Sequence, residues 1–218
     1  MACHDARSMT TRRGAFLFVR VFVRKTITRL RVVLESGASE VFFIADTHFN
    51  HKRIVEIREK ERGRKFASLE EHDEELIRRW NATVGKKDTV WHLGDFSFGK
   101  RGLPVAARLN GKKSLILGNN DRYDSKDYLK YFDRIAGIVK MQDFVLSHVP
   151  LHESQLKRWH FNVHGHLHAR TIKRLRHRDE PKAVKHVDDL RFLCVSCEQV
   201  NLTPVSYDWI LSKLADRR

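Results

Sequence analysis

The sequence predicts one mixed α/β domain, on two observations. Through the first half of the chain, apolar runs of strand length alternate with amphipathic patterns of helix length, and short strand-like runs dominate the second half. Of the 218 residues, 41% are hydrophobic, which suffices for a single core. No run approaches the roughly 18–20 consecutive apolar residues of a membrane span, so we expect no membrane insertion. The domain itself is predicted at residues 41–218.

Residues 1–40 form a basic extension ahead of that domain. They hold eight Lys and Arg residues against three acidic ones. The polar, arginine-rich start up to residue 13 is typical of a disordered terminus. From residue 16 onward, apolar residues alternate with a second series that includes Arg20 and Arg24, and this period of two predicts a hairpin or an edge strand. The arginine stripe is either a solvated face or a contact for a polyanion.

The elements of the domain follow from their hydrophobic periods. Helices show apolar residues three and four apart, as at Leu76, Ile77 and Trp80, whereas strands are short apolar runs. Ser68 and Glu71 form a capping box that marks the start of one helix. In chain order we predict a strand at 41–45, helices at 51–60 and after residue 68, a strand at 89–93, a helix at 105–109, a strand at 114–117, a helix around 128–132, strands at 135–139, 143–147, 161–164 and 192–197, and a helix at about 206–214.

Five of these strands deliver potential metal ligands at their C-terminal ends. In open α/β sheets the carboxyl edge is where sites are built, so the five groups are expected to converge. Carboxylates next to imidazoles suit Mn, Fe or Zn. A single Asp-x-His pair is weak evidence, but five groups in order rarely arise by chance. The groups are Asp46 and His48, Asp95, Asn119 with Asn120 and Asp121, His148, and His164 with His166 and His168.

The ordered set resembles the calcineurin-like metallophosphoesterase superfamily, whose signature runs Asp-x-His, Gly-Asp, Gly-Asn-His-Asp/Glu, His and Gly-His-x-His. The resemblance covers about residues 41–210. The opening Ile-Ala-Asp-Thr-His-Phe-Asn-His and the segment at 203–206 are similar to small single-domain members found in bacteria and phages. The resemblance implies a two-sheet αββα sandwich and two divalent metal ions, which would be Mn, Fe, Zn or Ni, with Mn favoured.

The resemblance also implies a role for each ligand position. It assigns Asp46, His48 and His168 to the first metal, Asn119, His148 and His166 to the second, and Asp95 to the bridge between them. The implied reaction is attack of a metal-bridging hydroxide on a phosphoester.

One position departs from the family's pattern. Where the signature has His, this chain has Asn120, and the family's His contacts the phosphoryl group and can protonate the leaving oxygen. An amide donates a hydrogen bond but has no titratable proton. Either His51 or His152 supplies the proton, or the leaving group needs none, or the chain is a disabled form, or Asn120 is an introduced substitution. The catalytic candidates are therefore Asp95, Asn120, His51 and His152.

The charge of the chain favours a polyanionic substrate. The formal net charge is +15 and the pI is about 10.0, and residues 170–178, directly after the histidine cluster, hold five basic residues and no acidic one. Such a surface attracts nucleotides and nucleic acid, although a basic segment is often merely solvated. The leading hypothesis is a phosphodiesterase for nucleotide or nucleic-acid diesters, and the alternative is a catalytically weakened binding or scaffold protein. Protein phosphatases of this kind carry Gly-Asp-x-x-Asp-Arg-Gly, whereas Asp95 is followed here by Phe96-Ser97-Phe98-Gly99, which disfavours that class.

The three cysteines cannot build a disulfide framework, which indicates a reducing, cytoplasmic setting. A redox or metal-binding pair is disfavoured for Cys194 and Cys197, because residues three apart on a strand face opposite sides.

Overall fold

A computed structural model describes residues 39–175 and 185–215. The hairpin or edge strand predicted within residues 1–40 lies outside the described residues, as do the last three residues of the basic segment 170–178.

Two sheets form the frame of the domain. The first has the strand order β11-β1-β2-β3-β4, in which β1 to β4 are parallel and β11 is antiparallel to β1. Its strands are β1 (Val41–Ile44), β2 (Thr89–His92), β3 (Lys112–Ile116), β4 (Arg134–Ala136) and β11 (Val205–Ser206). The second has the order β10-β7-β6-β5, in which only β5 is antiparallel to its neighbour. Its strands are β5 (Ile138–Lys140), β6 (Phe144–Ser147), β7 (Phe161–His164) and β10 (Phe192–Cys194).

The remaining elements connect and cover these sheets. A separate antiparallel hairpin consists of β8 (Lys173–Leu175) and β9 (His186–Asp188). The α-helices are α1 (Ile54–Arg62), α2 (Leu69–Thr83), α3 (Ser125–Tyr128), α4 (Leu156–Trp159) and α5 (Tyr207–Ala215), and 3₁₀ helices cover Lys100–Arg108 and Glu153–Gln155. One half of the predicted capping box is present, since Ser68 Oγ accepts from Glu71 N at 3.2 Å; the Glu71 carboxylate accepts from the backbone N of Ala67 instead of that of Ser68.

The core lies between the two sheets. The central strands are buried along almost their whole length, as expected for parallel strands that are covered on both faces. Phe43 of β1 packs edge-on against Phe144 of β6 with 6.0 Å between the ring centroids, and this contact joins one sheet to the other. The predicted mixed α/β sandwich is confirmed.

Several predicted elements have different bounds in the structure. The strand expected at 135–139 is divided at Gly137, because β4 pairs with β3 in the first sheet whereas β5 pairs with β6 in the second. The chain therefore passes between sheets at that glycine. The helix expected around 128–132 ends at Tyr128. The region expected as a helix at 105–109 belongs to a longer 3₁₀ helix.

The last predicted strand, at 192–197, ends early for a reason that bears on the site. After β10 ends at Cys194, the backbone turns to β1: Ala45 N donates to Val195 O, and Cys197 N donates to Ala45 O, each at 3.0 Å. Residue 45 thus forms an isolated parallel bridge with Ser196. This bridge joins the two sheets at their carboxyl edge.

Candidate metal centre and active site

The loops that follow the strands of both sheets meet at this edge. Asp46 N donates to Gly94 O at 3.0 Å, which ties the loop after β1 to the loop after β2. Gly165 N donates to His148 O at 3.0 Å, which ties the loop after β7 to the end of β6. The convergence expected from the strand ends is therefore present.

Two glycines of the motifs make this close approach feasible. A Cβ at Gly118 would collide with the backbone nitrogen and the carboxylate of Asp95. A Cβ at Gly165 would lie 2.7 Å from Asp46 Oδ2 and 2.6 Å from Ala45 Cβ. A side chain at either position would therefore push a carboxylate out of the site.

Asp46, His48 and His168 form the first cluster. Asp46 Oδ1 lies 3.9 Å from Nε2 of both imidazoles, and these two nitrogens are 3.3 Å apart. The other carboxylate oxygen, Oδ2, accepts from His166 N at 2.9 Å and from Ser196 Oγ at 2.6 Å. Oδ1 is buried, and no residue that the structure describes donates a hydrogen bond to it. Three potential ligand atoms thus face one another.

Asp95, Asn119 and His148 form the second cluster. Asp95 Oδ1 lies 3.6 Å from His148 Nε2, which is also 3.0 Å from Asn119 Oδ1. His148 Nδ1 lies 2.8 Å from the carbonyl oxygen of Leu93, so Nδ1 carries the proton and Nε2 keeps its lone pair. The second oxygen of Asp95, Oδ2, lies 3.7 Å from His48 Nε2 of the first cluster. Asp95 therefore lies between the clusters.

His166 lies beside both clusters. Its ring stands edge-on to the ring of His148 with 5.1 Å between the centroids, while its backbone N–H holds Asp46. The structure thus brings together all seven positions for which the sequence predicts metal ligands.

The donor set of the two clusters fits divalent cations. Burial raises the pKa of Asp46 to about 7 and lowers the pKa of the His48 imidazole well below its usual value. A buried carboxylate oxygen without a donor is costly unless a cation faces it, and neutral imidazole nitrogens are good ligands. Mixed carboxylate, amide and imidazole donors suit Mn, Fe and Zn.

The backbone of these loops is strained. Asn, Asp and His tolerate a left-handed conformation better than other residues with a side chain, but each such residue still costs energy, and such residues cluster at functional sites. Six non-glycine residues of the site loops have φ between 49° and 68°: Asp46, His48, Asn50, Asp95, His166 and His168. The fold therefore maintains an unfavourable local conformation where the ligands are needed.

Besides Asp95, two of the predicted catalytic residues lie at the clusters. Asn120 donates to both oxygens of Asp95, through its backbone N at 2.8 Å and its amide Nδ2 at 2.6 Å. The ring of His51 is half-buried, 5.5 Å from the ring of His48 and 4.5 Å from that of Phe98 between centroids.

His152 has a different local setting. It is exposed, and its Nδ1 accepts from Ser154 N at 3.3 Å, which caps the short 3₁₀ helix. It also lines a cavity of about 750 Å³ between the segments 150–153 and 172–175. The first segment begins two residues after His148, so the cavity is near the second cluster along the chain.

Asp121 holds the loops together in a way that the motif did not predict. Its Oδ2 accepts from Asp95 N and from Gly118 N, each at 2.8 Å, and its Oδ1 accepts from Phe96 N at 3.2 Å. Burial raises its pKa to about 6. The sequence placed Asp121 in the motif, but its three backbone partners are visible only in the structure.

The sequence also did not predict that Arg58 and Glu198 form part of the site. Arg58 occupies the buried face of α1 together with Ile54, four residues earlier, and this helical spacing was the available signal. Its partner Glu198 is 140 residues away in the chain.

The two described cysteines do not form a redox pair. Both are free, and Cys194 Sγ lies 3.0 Å from Ser196 Oγ. Burial raises the pKa of Cys194 to about 11 and that of Cys197 to about 12, so both stay as unreactive thiols. Among the described residues, no helix has the length and apolar character to cross a membrane.

Comparisons with known proteins agree with this arrangement. A family model described as calcineurin-like phosphoesterase matches residues 40–205. An uncharacterised protein of Methanocaldococcus jannaschii is 32% identical over 176 residues, which cover 79% of this chain and 89% of that protein. A gene 66 protein of Mycobacterium phage L5 is 30% identical over 170 residues, which cover 62% of this chain and 80% of that protein.

A solved structure supports the fold. The crystal structure of a protein of unknown function from Aquifex aeolicus superposes with a TM-score of 0.59 at 23% identity, covering 80% of this chain and 99% of that one. At this identity the likeness bears on the fold alone.

Proposed function

This chain belongs to the calcineurin-like phosphoesterase family, and we propose that it is a dinuclear metal-dependent phosphodiesterase that acts on nucleotide or nucleic-acid diesters. The observation that carries the proposal is the position of Asp95. Its two oxygens face imidazole nitrogens of different clusters, at 3.6 Å for His148 and 3.7 Å for His48. A carboxylate so placed can bridge two cations.

Asp46 is the other carboxylate near both clusters, but it is less suited to bridging. Its carboxylate lies within reach of ligand atoms of both the first and the second cluster. However, its Oδ2 already accepts two hydrogen bonds, from a backbone amide and from the hydroxyl of Ser196, whereas each oxygen of Asp95 accepts one, from Asn120, and keeps a lone pair for a metal. We therefore assign Asp46 to the first metal, together with His48 and His168.

The residues of the site divide the chemistry between them. When bound, two divalent cations would neutralise the phosphate oxygens and supply a hydroxide at neutral pH. The contact from His148 Nδ1 to a backbone carbonyl directs Nε2 to the second cluster, alongside Asn119 and His166. Mn is the metal that we favour, since the donors combine oxygen with imidazole nitrogen.

Asn120 favours diesters as substrates. Its amide can donate a hydrogen bond to an anionic oxygen, but it cannot protonate a leaving alkoxide. A diester with a good leaving group needs no such proton, whereas a monoester of a simple alcohol does. His51 beside the first cluster and His152 in the cavity remain the candidates for a proton donor.

The charge favours a nucleotide or nucleic acid. The net charge is +15, and the described part of the basic segment exposes Arg170 and Lys173 directly after His168. The cavity next to this segment also contains Leu151 and Phe192, which offer apolar surface to a base or sugar. If nucleic acid binds here, its affinity should fall steeply with salt.

The test is turnover together with metal content. Purified protein should bind two equivalents of Mn²⁺ and hydrolyse bis-p-nitrophenyl phosphate, and removal of the metal with a chelator should abolish hydrolysis. The second candidate function is a weakened binding or scaffold protein, which the missing proton donor at Asn120 favours. Two bound metals without turnover of any diester would support that alternative, and absence of metal binding would refute the proposed site.

A further inference from the structure

Arg58 is a buried cation next to the metal centre. Its side chain is 1% exposed, as is that of its partner Glu198, and the two are joined at 2.7 Å. The guanidinium uses each of its nitrogens: Nε donates to His72 Nε2 at 2.8 Å, one terminal nitrogen donates to Glu198 Oε1, and the other donates to the carbonyl of Asp46 at 2.9 Å. This planar fork fixes its three partners relative to one another.

Glu198 links Arg58 to the proposed metal ligand His168. The oxygen that accepts from Arg58 also lies 2.9 Å from Nδ1 of His168. A carboxylate at Nδ1 keeps the proton there, so that Nε2 retains its lone pair and faces Asp46 Oδ1 and His48. Carboxylates that orient metal-binding histidines in this way commonly change metal affinity by roughly 10–100-fold when they are lost.

The other end of the network reaches the loop after β1. Because Arg58 donates to His72 Nε2, the proton of that ring sits on Nδ1, which lies 2.8 Å from Asp73 Oδ1. Asp73 Oδ2 then accepts from Asn50 N at 2.9 Å. The network therefore holds the loop that contains His48 at both ends, at the carbonyl of Asp46 and at the amide of Asn50.

Stability alone does not account for this arrangement. A buried ion pair loses hydration on folding, and apolar residues of similar volume often serve stability as well or better. Apolar residues could not orient an imidazole. They also could not form hydrogen bonds with the carbonyl of Asp46 and the amide of Asn50, two residues whose backbone is in the left-handed region.

We propose that Arg58 and Glu198 are positioning residues, which act through His168 and the loop at 46–50 to give the first cluster its metal-binding geometry. This inference rests on the proposed function only in that the first cluster binds a divalent cation. In the second cluster, His148 is oriented by a backbone carbonyl instead.

Metal affinity provides the first test. Mn²⁺ is titrated calorimetrically into the metal-free parent and into Glu198→Gln, which keeps the shape but removes the charge, and Arg58→Lys, which keeps the charge but loses the fork. In each variant one of the two binding events should weaken at least about tenfold while the other is unchanged. Arg108→Lys is the matched control, because Arg108 pairs with Glu74 through two contacts of 2.6 Å at an exposed site.

A spectroscopic test needs no metal and separates the two proposals. At a pH at which the ring is neutral, ¹⁵N chemical shifts of His168 in the metal-free parent should report a proton on Nδ1, and Glu198→Gln should populate both tautomers. If the parent bound no Mn²⁺, the proposed function would be refuted, but the ¹⁵N shifts of His168 would still test whether Glu198 sets its tautomer. The positioning role would be refuted if both variants kept their fold, showed the same His168 tautomer as the parent, and bound Mn²⁺ at both sites with affinities within twofold of the parent's.

Discussion

The two clusters of the candidate metal centre are held in place by different means. In the first cluster, side chains orient the proposed ligands: Ser196 donates to Asp46, and Glu198 contacts His168. In the second cluster, backbone groups provide the carbonyl of Leu93 at His148 and the backbone N–H of Asn120 at Asp95, and the side-chain amide of Asn120 adds one contact with Asp95. A side-chain contact can be lost by one substitution, whereas a backbone contact cannot. Substitutions outside the ligands should therefore alter the first cluster more easily than the second.

The largest effect on activity is expected at Asp95, which lies between the two clusters, because its removal should impair both clusters and not one of them alone. Asp95→Ala removes the proposed bridge, which supplies several kcal/mol of transition-state stabilisation, so hydrolysis of bis-p-nitrophenyl phosphate should fall at least about a thousandfold. Asp124→Ala is the control, since Asp124 is exposed and pairs with Lys126 at 3.3 Å. Parental turnover by Asp95→Ala would show that the site assignment is wrong.

The next largest effect on activity is expected at Asn120, which donates to both oxygens of Asp95. Asn120→His introduces a group that can protonate a leaving alkoxide, so alkyl monoester hydrolysis should rise at least about tenfold, a modest share of the usual effect of a general acid. Hydrolysis of an activated diester should change less, because a phenolate leaves without a proton. The ratio of the two steady-state rates measures this preference.

Asn120→His has two consequences, the loss of the amide contact with Asp95 and the gain of a proton donor, and Asn120→Ala separates them. It removes the amide contact with Asp95 without adding a proton donor. If Asn120→Ala raised monoester hydrolysis as much as Asn120→His, or if Asn120→His left the ratio unchanged, the missing histidine would not set the specificity.

A steric change tests the backbone side of the comparison. Gly118→Ala places a methyl group against the backbone nitrogen and carboxylate of Asp95, so the loop must shift. Overpacking of this kind costs about 1–3 kcal/mol, and the midpoint of urea unfolding should fall accordingly. Mn²⁺ binding at the second cluster should weaken in the same variant. Gly137→Ala is the matched control, because nothing lies within 4 Å of a Cβ there; equal effects at both glycines would contradict the steric explanation.

The sequence predicted which residues converge at the carboxyl edge, because each follows an apolar strand and there the local pattern and the sheet topology agree. It did not predict what orients them. Arg58 is a charge on the apolar face of a helix, and such a residue is understood only once its distant partner Glu198 is known. The division at Gly137 was missed for a similar reason: the residues on both sides favour a strand, and only the sheets show that they pair with different neighbours.

The smallest effect is expected from one hydroxyl of the first cluster. Ser196→Ala removes the donor to Asp46 Oδ2, but the amide of His166 still holds the same oxygen at 2.9 Å. The loss should therefore be that of one ordinary hydrogen bond, about 1 kcal/mol, or about a fivefold weaker Mn²⁺ affinity for one of the two binding events. Ser212→Ala, which removes an exposed hydroxyl that donates to Trp209 O at 2.8 Å, should leave both affinities unchanged. Equal weakening of both events in Ser196→Ala would mean that Asp46 serves the two metals alike. In that case Asp46, rather than Asp95 alone, would couple the clusters, and the contrast between a side-chain-held and a backbone-held half would not hold.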